Sequence, residues 1–527
     1  MMLAQLLEGV EIRALYGPDP AQVEITGLAH DSRRVAAGAL FAALPGVAAD
    51  GHDFAVAAQQ AGAVALLLER PEPEAAGTTQ VITPNSRRAL ARVAEVFYGR
   101  PSRELTLVGV TGTNGKTTIT YLVEAMLAAD DPDRPVGVIG TVETRFGRTR
   151  RPAEMTTPES LELSRLLAEM RDASVRRVVM EVSSHALAQH RADGLAFDLG
   201  LFTNLSRDHL DYHHDLDDYF AAKRRLFTEL LPAASGQGKS PWAVVCVDDP
   251  WGRRLCQDLA AADLPMITYG LEPGAQVRGR ADQQDLGGAR CRISFRDAGP
   301  AADGEIILKT TLVGRYNLQN LTGAVAAGLA LGLEPRVMAR GLAALAGVPG
   351  RLQRVGGPDT RPAVFVDYCH TDQALAGALA VLRPLTRGRL ICVFGAGGDR
   401  DQGKRPLMGR AVAQGADLAV LTSDNPRSED PLTIMAMVEQ GLRQGGAKLV
   451  ESPQDAAGPA YLKQPDRAAA IALAIAGAGD QDVVLIAGKG HEDYQIVGTT
   501  KRHFDDAEQA AAALGLARPA AGEGGHG

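Results

Sequence analysis

Residues 108–118, VGVTGTNGKTT, join an apolar run to a helical pattern through a loop with two glycines, and they constrain the fold more than any other stretch. A strand that feeds a glycine-rich turn and then a helix aims backbone N–H groups and a positive helix end at an anion. The spacing differs from the usual pattern G-x-x-x-x-G-K-[ST], because Gly109 stands one residue too early. We therefore predict a parallel-sheet domain that binds ATP or GTP through a variant phosphate loop.

The residue types of this loop suit separate tasks. Gly112 and Gly115 let the backbone approach phosphate, Lys116 neutralises β- and γ-phosphate charge, and Thr117 or Thr118 can hold Mg²⁺. The predicted nucleotide-contacting set of the loop is Gly112, Thr113, Asn114, Gly115, Lys116, Thr117 and Thr118.

Apolar runs alternate with helical patterns along most of the chain, which predicts βαβ units and mainly parallel sheets. At 527 residues the chain is too long for one core and should form about three domains. We place them at 1–103, 104–346 and 347–515, with a disordered, Gly-rich tail at 516–527. The last domain is expected to be Rossmann-like, but FGAGGDR lacks the dinucleotide fingerprint because Arg400 stands where glycine is needed.

Composition excludes several classes of protein. A net charge of −8 argues against a dedicated nucleic-acid binder, and no apolar run approaches the length of a membrane span. The N-terminus lacks the pattern of a secretory signal. Five scattered cysteines form no C-x-x-C pair, which favours a reducing cytoplasm; they are Cys246, Cys256, Cys291, Cys369 and Cys392.

Two central segments carry groups suited to a metal-nucleotide site. Glu181 follows the apolar run RRVVM and should emerge at the end of a strand, where a carboxylate can bind Mg²⁺. Residues 202–227 are dense in His and Asp, and His209 and His213 could share a helical face as a zinc pair would. No further His or Cys stands at zinc spacing, so magnesium is favoured. Lys223, by local sequence alone, looks like a surface helix lysine.

Four polar loops follow apolar strands in the last third of the chain: DYCHTDQAL, GAGGDRDQGKRPLM, TSDNPRSEDP and GKGHEDYQ. Open α/β sheets bind ligands at the carboxyl ends of their strands. The guanidinium of Arg suits a carboxylate and the carboxylate of Glu suits an ammonium group, so these loops predict an amino-acid pocket. The residues concerned are Asp367, His370, Arg400, Arg427 and Glu492.

Together, TGTNGKTT, EVSSHAL, FTNLSRDHLDYH and GKRPLM resemble the Mur ligase family, and the likeness runs from HDSRRV to GKGHEDYQ. The resemblance implies an ATP-dependent ligase that adds meso-diaminopimelate to the D-glutamyl γ-carboxylate of UDP-N-acetylmuramoyl-L-alanyl-D-glutamate through an acyl phosphate. It implies a cytoplasmic step of peptidoglycan synthesis by a monomer, with no nucleic acid and no membrane insertion. It also implies a small N-terminal α/β domain for the nucleotide sugar and a central ATPase-type domain.

The resemblance assigns further residues by motif. Nucleotide-sugar contacts would come from His30, Ser32, Val47, Ala48, Ala49, Thr156, Thr157, Ser183, Gln189 and Arg191. The catalytic set would be Lys116, Glu181, His209 and Lys223, with the metal near Thr117, Glu181, His209 and a carbamylated Lys223. Further ATP contacts would be Asn317, Asn320, Arg351, Asp367 and His370.

The amino-acid pocket implied by the family comprises Arg400, Asp424, Asn425, Pro426, Arg427, Gly488 and Glu492. Arg427 would distinguish diaminopimelate, which has a distal carboxylate, from lysine, which has none. The chain departs from the family's DYAHTP by placing Cys369 for Ala and Asp372 for Pro. The alternatives are a lysine-adding relative, a folylpolyglutamate synthetase-like ligase and a catalytically silent nucleotide-sugar binder.

Overall fold

The computed structural model describes residues 1–46, 49–210, 212–260, 262, 264–300 and 302–516. The chain divides into two compact units, the first comprising 1–279, 293–306 and 320–341 and the second 280–292, 307–319 and 342–527. Their sheets and helices confirm the expected α/β class. The boundaries of the three predicted domains stay a prediction, and the predicted tail lies outside the described residues apart from Leu516.

The first unit opens with a five-stranded sheet in the order β1-β5-β4-β3-β2, in which β1 alone is antiparallel to its neighbour. Apolar residues on both faces of the sheet are buried beneath short helices. The strands are β1 (Ala14–Tyr16), β2 (Gly27–Ala29), β3 (Ala39–Ala42), β4 (Ala65–Leu68) and β5 (Thr79–Ile82). The helices are α1 (Leu3–Leu6), α2 (Ala55–Gln60) and α3 (Ser86–Phe97).

The central sheet of the first unit has the order β13-β12-β11-β6-β10-β7-β8-β9. All pairs from β7 to β13 are parallel, whereas β8 and β9 form an antiparallel edge. The strands are β6 (Thr106–Thr111), β7 (Val136–Ile139), β8 (Glu143–Phe146), β9 (Thr149–Pro152), β10 (Arg177–Glu181), β11 (Leu199–Phe202), β12 (Trp242–Cys246) and β13 (Met266–Gly270). Strand β6 therefore lies between β10 and β11, and the carboxyl ends of these three parallel strands lie at the same edge of the sheet.

Helices pack around this sheet over a large apolar core. They are α4 (Pro101–Glu104), α5 (Lys116–Asp130), α6 (Ser160–Asp172), α7 (Ser184–Ala188), α8 (Leu216–Arg225), α9 (Leu231–Ser235) and α10 (Pro250–Ala260). A π-helical turn, Leu226–Leu230, joins α8 to α9. The polar region expected to form hairpins contains β14 (Val277–Asp285), β15 (Gly288–Phe295) and β16 (Gly304–Thr310), and α11 (Arg315–Ala330) and α12 (Pro335–Ala344) follow. The unit boundary runs through these segments.

The second unit contains a seven-stranded sheet in the order β17-β18-β23-β19-β20-β22-β21, parallel except for β17. Apolar clusters cover both faces, as expected for buried parallel strands. The strands of this sheet are β17 (Gln353–Val355), β18 (Ala363–Asp367), β19 (Leu390–Phe394), β20 (Leu418–Leu421), β21 (Lys448–Leu449), β22 (Ala460–Lys463) and β23 (Val483–Ala487). Two further strands, β24 (Tyr494–Val497) and β25 (Thr500–His503), pair in a separate antiparallel sheet. The helices are α13 (Asp372–Leu382), α14 (Lys404–Gly415), α15 (Pro431–Gln444), α16 (Arg467–Ala476) and α17 (Asp506–Ala513).

The segment before α8 differs from the helical arrangement considered for His209 and His213. His209 has a positive φ of 52°, and the N–H of His213 closes a single turn on its carbonyl at 2.9 Å. The helix begins only at Leu216, because the Asp215 side chain accepts a hydrogen bond from the backbone of Asp218 and caps it. Within the described residues, no helix is long and apolar enough to cross a membrane.

Candidate active site

The phosphate loop spans the gap between the end of β6 and the start of α5, as the sequence predicts. Gly112 and Gly115 both have positive φ, 145° and 88°, a conformation that residues with a side chain rarely adopt. The Lys116 ammonium folds back and donates to the carbonyls of Gly112 and Thr113, each at 2.9 Å. The loop thus has the backbone shape and the cation that phosphate binding requires.

Thr203 and Asn204, which directly follow the neighbouring strand β11, hold this loop in place. The Asn114 N–H donates to Asn204 Oδ1 at 3.0 Å, and Thr203 Oγ1 donates to the Asn114 carbonyl at 2.6 Å. A Cβ on Gly112 would stand 1.8 Å from Thr203 Oγ1, so only glycine fits there. Asn320, predicted near ATP, lies against the loop, since a Cβ on Gly115 would be 2.5 Å from its Oδ1. Sequence interpretation missed Thr203 and Asn204, although they follow an apolar strand.

Lys223 is buried rather than on the surface, contrary to what its local sequence suggests. Its side chain is 1% exposed because Tyr219, Phe220 and other apolar residues of its helix pack into the central core. Its ammonium donates to the Gly112 carbonyl at 2.8 Å and lies 4.5 Å from the centre of the Tyr219 ring. Burial, together with repulsion from Lys116, places the pKa of Lys223 well below its ordinary value.

Glu181 ends strand β10 beside Val110 of β6, as predicted, and is 1% exposed. Its carboxylate accepts the Thr141 N–H at 2.9 Å and the Thr141 hydroxyl at 3.0 Å. Thr141 in turn contacts the hydroxyl of Thr156, a predicted substrate residue, at 3.1 Å. In the described part of the chain, no three His, Cys, Asp or Glu side chains are grouped to hold a metal ion.

His209 belongs to a cluster of rings, which we call the aromatic cluster: His185, His209, Tyr212, His213 and Tyr219. The centres of the His185 and His209 rings are 4.9 Å apart, and those of His209 and Tyr219 are 6.1 Å apart. The Tyr219 ring also faces the Lys223 ammonium. Two predicted metal-site residues, His209 and Lys223, therefore both lie close to Tyr219. His185 and Tyr219 were not singled out from sequence.

Four predicted substrate residues form one hydrogen-bonded group. Thr157 Oγ1 accepts a hydrogen bond from the Ser183 N–H at 3.1 Å, and the same hydroxyl donates to the Glu181 carbonyl at 2.9 Å. The Arg191 guanidinium donates to the Thr157 carbonyl at 3.0 Å and to Gln189 Oε1 at 2.6 Å. Burial lowers the pKa of Arg191, opposed by the carboxylate of Glu159. The group therefore joins the ends of β10 and α7.

Glu159 links this group to the N-terminal part of the chain. Its carboxylate is 3.0 Å from an Arg191 nitrogen and 3.2 Å from an Arg87 nitrogen. Arg87 also donates to the carbonyl of Pro45 at 3.1 Å, at the start of the loop predicted to bind the nucleotide sugar. Sequence interpretation did not single out Arg87 or Glu159, because their pairing depends on the fold.

The predicted nucleotide-sugar residues are only partly described. Val47 and Ala48 lie outside the described residues, and Ala49 is exposed beside them. Ser32 begins a short turn after Asp31, and the His30 ring lies 3.9 Å from Glu162. The structure places His30, Ser32 and Ala49 in the first unit.

Asp367, Arg351 and His370 surround the end of β18 in the second unit. Asp367 accepts the Leu352 N–H at 2.7 Å and the Cys369 N–H at 2.9 Å, and the Arg351 guanidinium lies 4.9 Å from the Tyr368 ring centre. Burial raises the pKa of Asp367, opposed by Arg351. The His370 ring is 2.8 Å from the Tyr368 carbonyl. Asn317 donates to the Val313 carbonyl at 2.9 Å.

The two departures from the DYAHTP pattern are accommodated locally. Cys369 is 3% exposed and packs in the apolar core, where a small thiol behaves as a hydrophobic residue. Asp372 is the first residue of α13, and Thr371 caps that helix by accepting the Ala374 N–H. A carboxylate in the first turn also interacts favourably with the helix dipole, so the helix retains a defined start without proline.

The predicted amino-acid pocket assembles the loops after β20 and β23. Asn425 donates to Glu492 Oε2 at 2.9 Å, and a Cβ on Gly488 would stand 3.0 Å from Asp424 Oδ2. Arg427, with φ of 51°, donates to the Gly398 carbonyl at 2.7 Å. Burial and the neighbouring Asp424 raise the pKa of Glu492, whereas nearby cations that include Arg427 lower it. Pro426 is buried between these residues, and Arg400 is exposed in the loop after β19.

Comparison with known proteins matches three parts of the chain to one family. Residues 24–98 match the description "Mur ligase family, catalytic domain", residues 110–328 "Mur ligase middle domain", and residues 350–490 "Mur ligase, glutamate ligase domain". The three segments together cover most of the strands described above.

Individual relatives agree with these matches. The chain is 48% identical over 497 residues to the UDP-N-acetylmuramoyl-L-alanyl-D-glutamate--2,6-diaminopimelate ligase of Geobacter metallireducens, covering 93% of this chain and 94% of that protein. A solved structure of a ligase with the same name aligns with a TM-score of 0.68 at 30% identity, covering 98% and 99% of the two chains. A folylpolyglutamate synthase of Mycobacterium tuberculosis complexed with ADP and AMPPCP aligns with a TM-score of 0.60 over 82% and 96%. At 18% identity that last likeness shows the fold alone.

Proposed function

The chain belongs to the Mur ligase family, and we propose that it uses ATP to join meso-diaminopimelate to the D-glutamyl γ-carboxylate of UDP-N-acetylmuramoyl-L-alanyl-D-glutamate. The observation that carries the proposal is the pocket in which Asn425 fixes Glu492 close to Arg427. A carboxylate and a guanidinium suit the amino and carboxyl groups of one amino-acid centre. The proposal places the reaction in the cytoplasm, and the five free thiols are consistent with that compartment.

The reaction proceeds in two steps. The γ-carboxylate attacks the γ-phosphorus of ATP, giving an acyl phosphate and ADP; the amine then attacks the acyl carbon and phosphate leaves. Negative charge moves across the transferring phosphoryl group in the first step, so fixed cations and N–H groups contribute most of the catalysis. Lys116 and the backbone amides between Gly112 and Lys116 would supply them, since Lys116 already lies over the loop.

We assign Lys223 as a carbamylated lysine. Carbamylation requires an uncharged amine, which adds to CO₂ and releases one proton, and the lowered pKa of Lys223 favours that form. The product would be an anion beside Lys116, so the repulsion between two cations would become an attraction. The buried position and the Tyr219 ring would exclude water from it.

A Mg²⁺ ion, which prefers oxygen ligands, is the metal that the proposed site would hold. Its ligands would be Thr117, Glu181, His209 and the carbamate of Lys223. Within the aromatic cluster, the His209 ring packs near the ring of Tyr219. Such an ion would neutralise charge on the β- and γ-phosphates. The Thr141 hydrogen bonds would keep the Glu181 carboxylate oriented while it does so.

Arg427 favours diaminopimelate over lysine as the incoming amino acid. With diaminopimelate its guanidinium would meet the distal carboxylate, whereas with lysine it would stay a half-buried cation without that partner. Sites built for a polar group can reject an analogue that lacks it by about 10⁴-fold. A lysine-adding activity is therefore not favoured. A folylpolyglutamate synthetase-like activity is not favoured because it would not account for the N-terminal segments HDSRRV and DGHDF.

The test is ADP release by the purified protein with all three substrates and with each omitted in turn, combined with the mass of the product. We expect ADP and a product heavier by one diaminopimelate less water only when ATP, the nucleotide-sugar dipeptide and diaminopimelate are all present. Binding of the nucleotide sugar with no ADP release would contradict the proposal and support the catalytically silent binder.

A further inference from the structure

Lys489 contacts Asp424, Asn425 and Glu492, three of the residues expected to form the amino-acid pocket. It follows Gly488 at the end of β23 and is fully buried. Its ammonium donates to Asn425 Oδ1 at 3.0 Å and to the Tyr494 carbonyl at 2.6 Å. It also lies 3.3 Å from Asp424 Oδ1 and 3.9 Å from Glu492 Oε2. A lysine so placed cannot reach solvent, so its charge acts only on the pocket.

The contacts of Lys489 determine which way the Asn425 side-chain amide points. Asn425 Oδ1 accepts from the Lys489 ammonium and from the Ile496 N–H at 3.0 Å, so both groups around that atom are donors. The opposite orientation would set the amide NH₂ against two donors, which is unfavourable. The amide nitrogen must therefore face Glu492, to which it donates at 2.9 Å. Lys489 thus orients the hydrogen bond that Glu492 receives.

The charges around Lys489 explain why its cation matters to Glu492. The charged and titratable groups that face the two side chains are Asp424, Arg427, Arg467, Asp506, Tyr368 and Tyr494. The guanidinium of Arg467 is engaged by Asp506 at 2.6 Å, and both side chains are fully buried. Lys489 therefore compensates Asp424 and Glu492 at 3.3 and 3.9 Å, with smaller contributions from Arg467 and Arg427.

We propose that Lys489 is a positioning and specificity-determining residue: it holds Asn425 and Glu492 in the arrangement that presents an ionised carboxylate to the ammonium of the incoming amino acid. This inference rests on the proposed function, because it concerns the same pocket. Without the cation, Asn425 loses one of the two donors that orient it, and Glu492 loses the positive charge that lies 3.9 Å from its carboxylate. A neutral Glu492 would bind an ammonium group poorly.

The experiment compares Lys489→Met, which removes the charge at similar length, with Lys489→Arg, which retains it. Lys463→Met is the matched control, since Lys463 lies on the same sheet but pairs with Glu439 at 3.2 Å and is half exposed. The KM for diaminopimelate, ATP and the nucleotide-sugar dipeptide is measured for each from pH 6 to pH 9. Melting curves establish that each variant is folded.

For Lys489→Met we expect the KM for diaminopimelate to rise at least tenfold, with the other two KM values within twofold of wild type. The acidic limb of its pH profile should move to higher pH, because loss of the cation raises the pKa of Glu492. Lys489→Arg retains the positive charge, so the acidic limb of its pH profile should stay where it is in wild type. If Lys489→Met does not fold, a shifted acidic limb in Lys489→Arg would count against the inference. Adding Glu492→Gln to Lys489→Met should cost much less than Glu492→Gln alone, because both act through one group.

Two results would overturn the inference while leaving the proposed function intact. The first is a KM for diaminopimelate in Lys489→Met equal to that of wild type. The second is an equal rise of all three KM values in both variants, with the acidic limb unmoved, because a purely structural role would produce that result. A wild-type protein that does not ligate diaminopimelate would overturn the proposed function itself, and this inference with it.

Discussion

Lys116 and Lys223 donate to the same oxygen, the Gly112 carbonyl, at 2.9 and 2.8 Å. Two ammonium groups on one acceptor repel each other, and this repulsion adds to burial in lowering the pKa of Lys223. The phosphate loop and α8 therefore meet at a point where one lysine is best uncharged or converted to an anion. This arrangement underlies the assigned carbamate.

Replacement of Lys223 by Ala should reduce turnover at least 100-fold, because the carbamate oxygens are lost. A short-chain acid added to the assay should restore part of the activity by occupying the vacated space. Arg224→Ala is the matched control, since Arg224 is the next residue but pairs with Asp258 at 2.7 Å on the partly exposed side. Unchanged ADP release by Lys223→Ala would remove the residue from the mechanism.

The Gly112→Ala variant tests the shape of the phosphate loop. Its Cβ would stand 1.8 Å from Thr203 Oγ1 in a backbone conformation with φ of 145°. We expect a loss of stability of about 2–4 kcal/mol and at least tenfold weaker ATP binding, measured by melting and calorimetry. Gly332→Ala shares the positive φ but meets no atom within 4 Å, so it isolates the cost of backbone strain. Equal effects of the two would mean that the Thr203 contact is unimportant.

Glu159→Gln tests the link between the two arginines. The substitution removes the carboxylate that Arg87 and Arg191 share. We therefore expect the KM for the nucleotide sugar to rise about tenfold, which corresponds to about 1.4 kcal/mol. The KM for ATP should not change. The control is Glu169→Gln in α6, the helix that Glu159 precedes; Glu169 pairs with the half-exposed Arg151, and this variant should behave as wild type. A rise in both KM values would instead indicate a general loss of structure.

Glu95 gives a prediction for stability against pH. Burial raises its pKa to about 7, although Ser102 donates a hydrogen bond to it at 2.7 Å. Below about pH 4.5 both the folded and unfolded chains hold the proton. As the pH rises from there to 7, the unfolded chain releases it first, so stability falls by up to about 3 kcal/mol.

Glu95→Gln should remove that fall, because it keeps the hydrogen bond to Ser102 without an ionisable group. The melting temperature of the first unit should then exceed that of wild type at pH 8 and differ little at pH 5. The exposed Glu104 provides the control substitution, Glu104→Gln. A constant difference between Glu95→Gln and wild type at both pH values would show that ionisation of Glu95 is not responsible.

Much of the architecture could be predicted because strand ends are visible in the sequence. Glu181 ends an apolar run in the central sheet, and Asp367 and Asn425 follow apolar runs in the seven-stranded sheet. Parallel strands place such residues at one edge of their own sheet. The helix considered for His209 and His213 was wrong, because the Asp215 cap starts α8 later than the spacing suggests.

The residues whose surroundings the local sequence did not predict depend on partners far away along the chain. Lys223 looks exposed until α8 packs against the central core, and Lys489 looks like part of a solvated glycine-rich turn. Asn425, the partner of Lys489, is 64 residues distant, and Glu159 meets Arg87 across 72 residues. Periodicity and spacing report on local structure, so they cannot reveal these contacts.

A competition between meso-diaminopimelate and L-lysine at equal concentration, with the product identified by mass, shows directly which amino acid the protein selects. We expect wild type to form the diaminopimelate product in at least about 10³-fold excess, because lysine leaves Arg427 without a carboxylate. Arg427→Met should reduce that excess towards unity. A wild-type product containing mainly lysine would contradict the account of the pocket and of the reaction it serves.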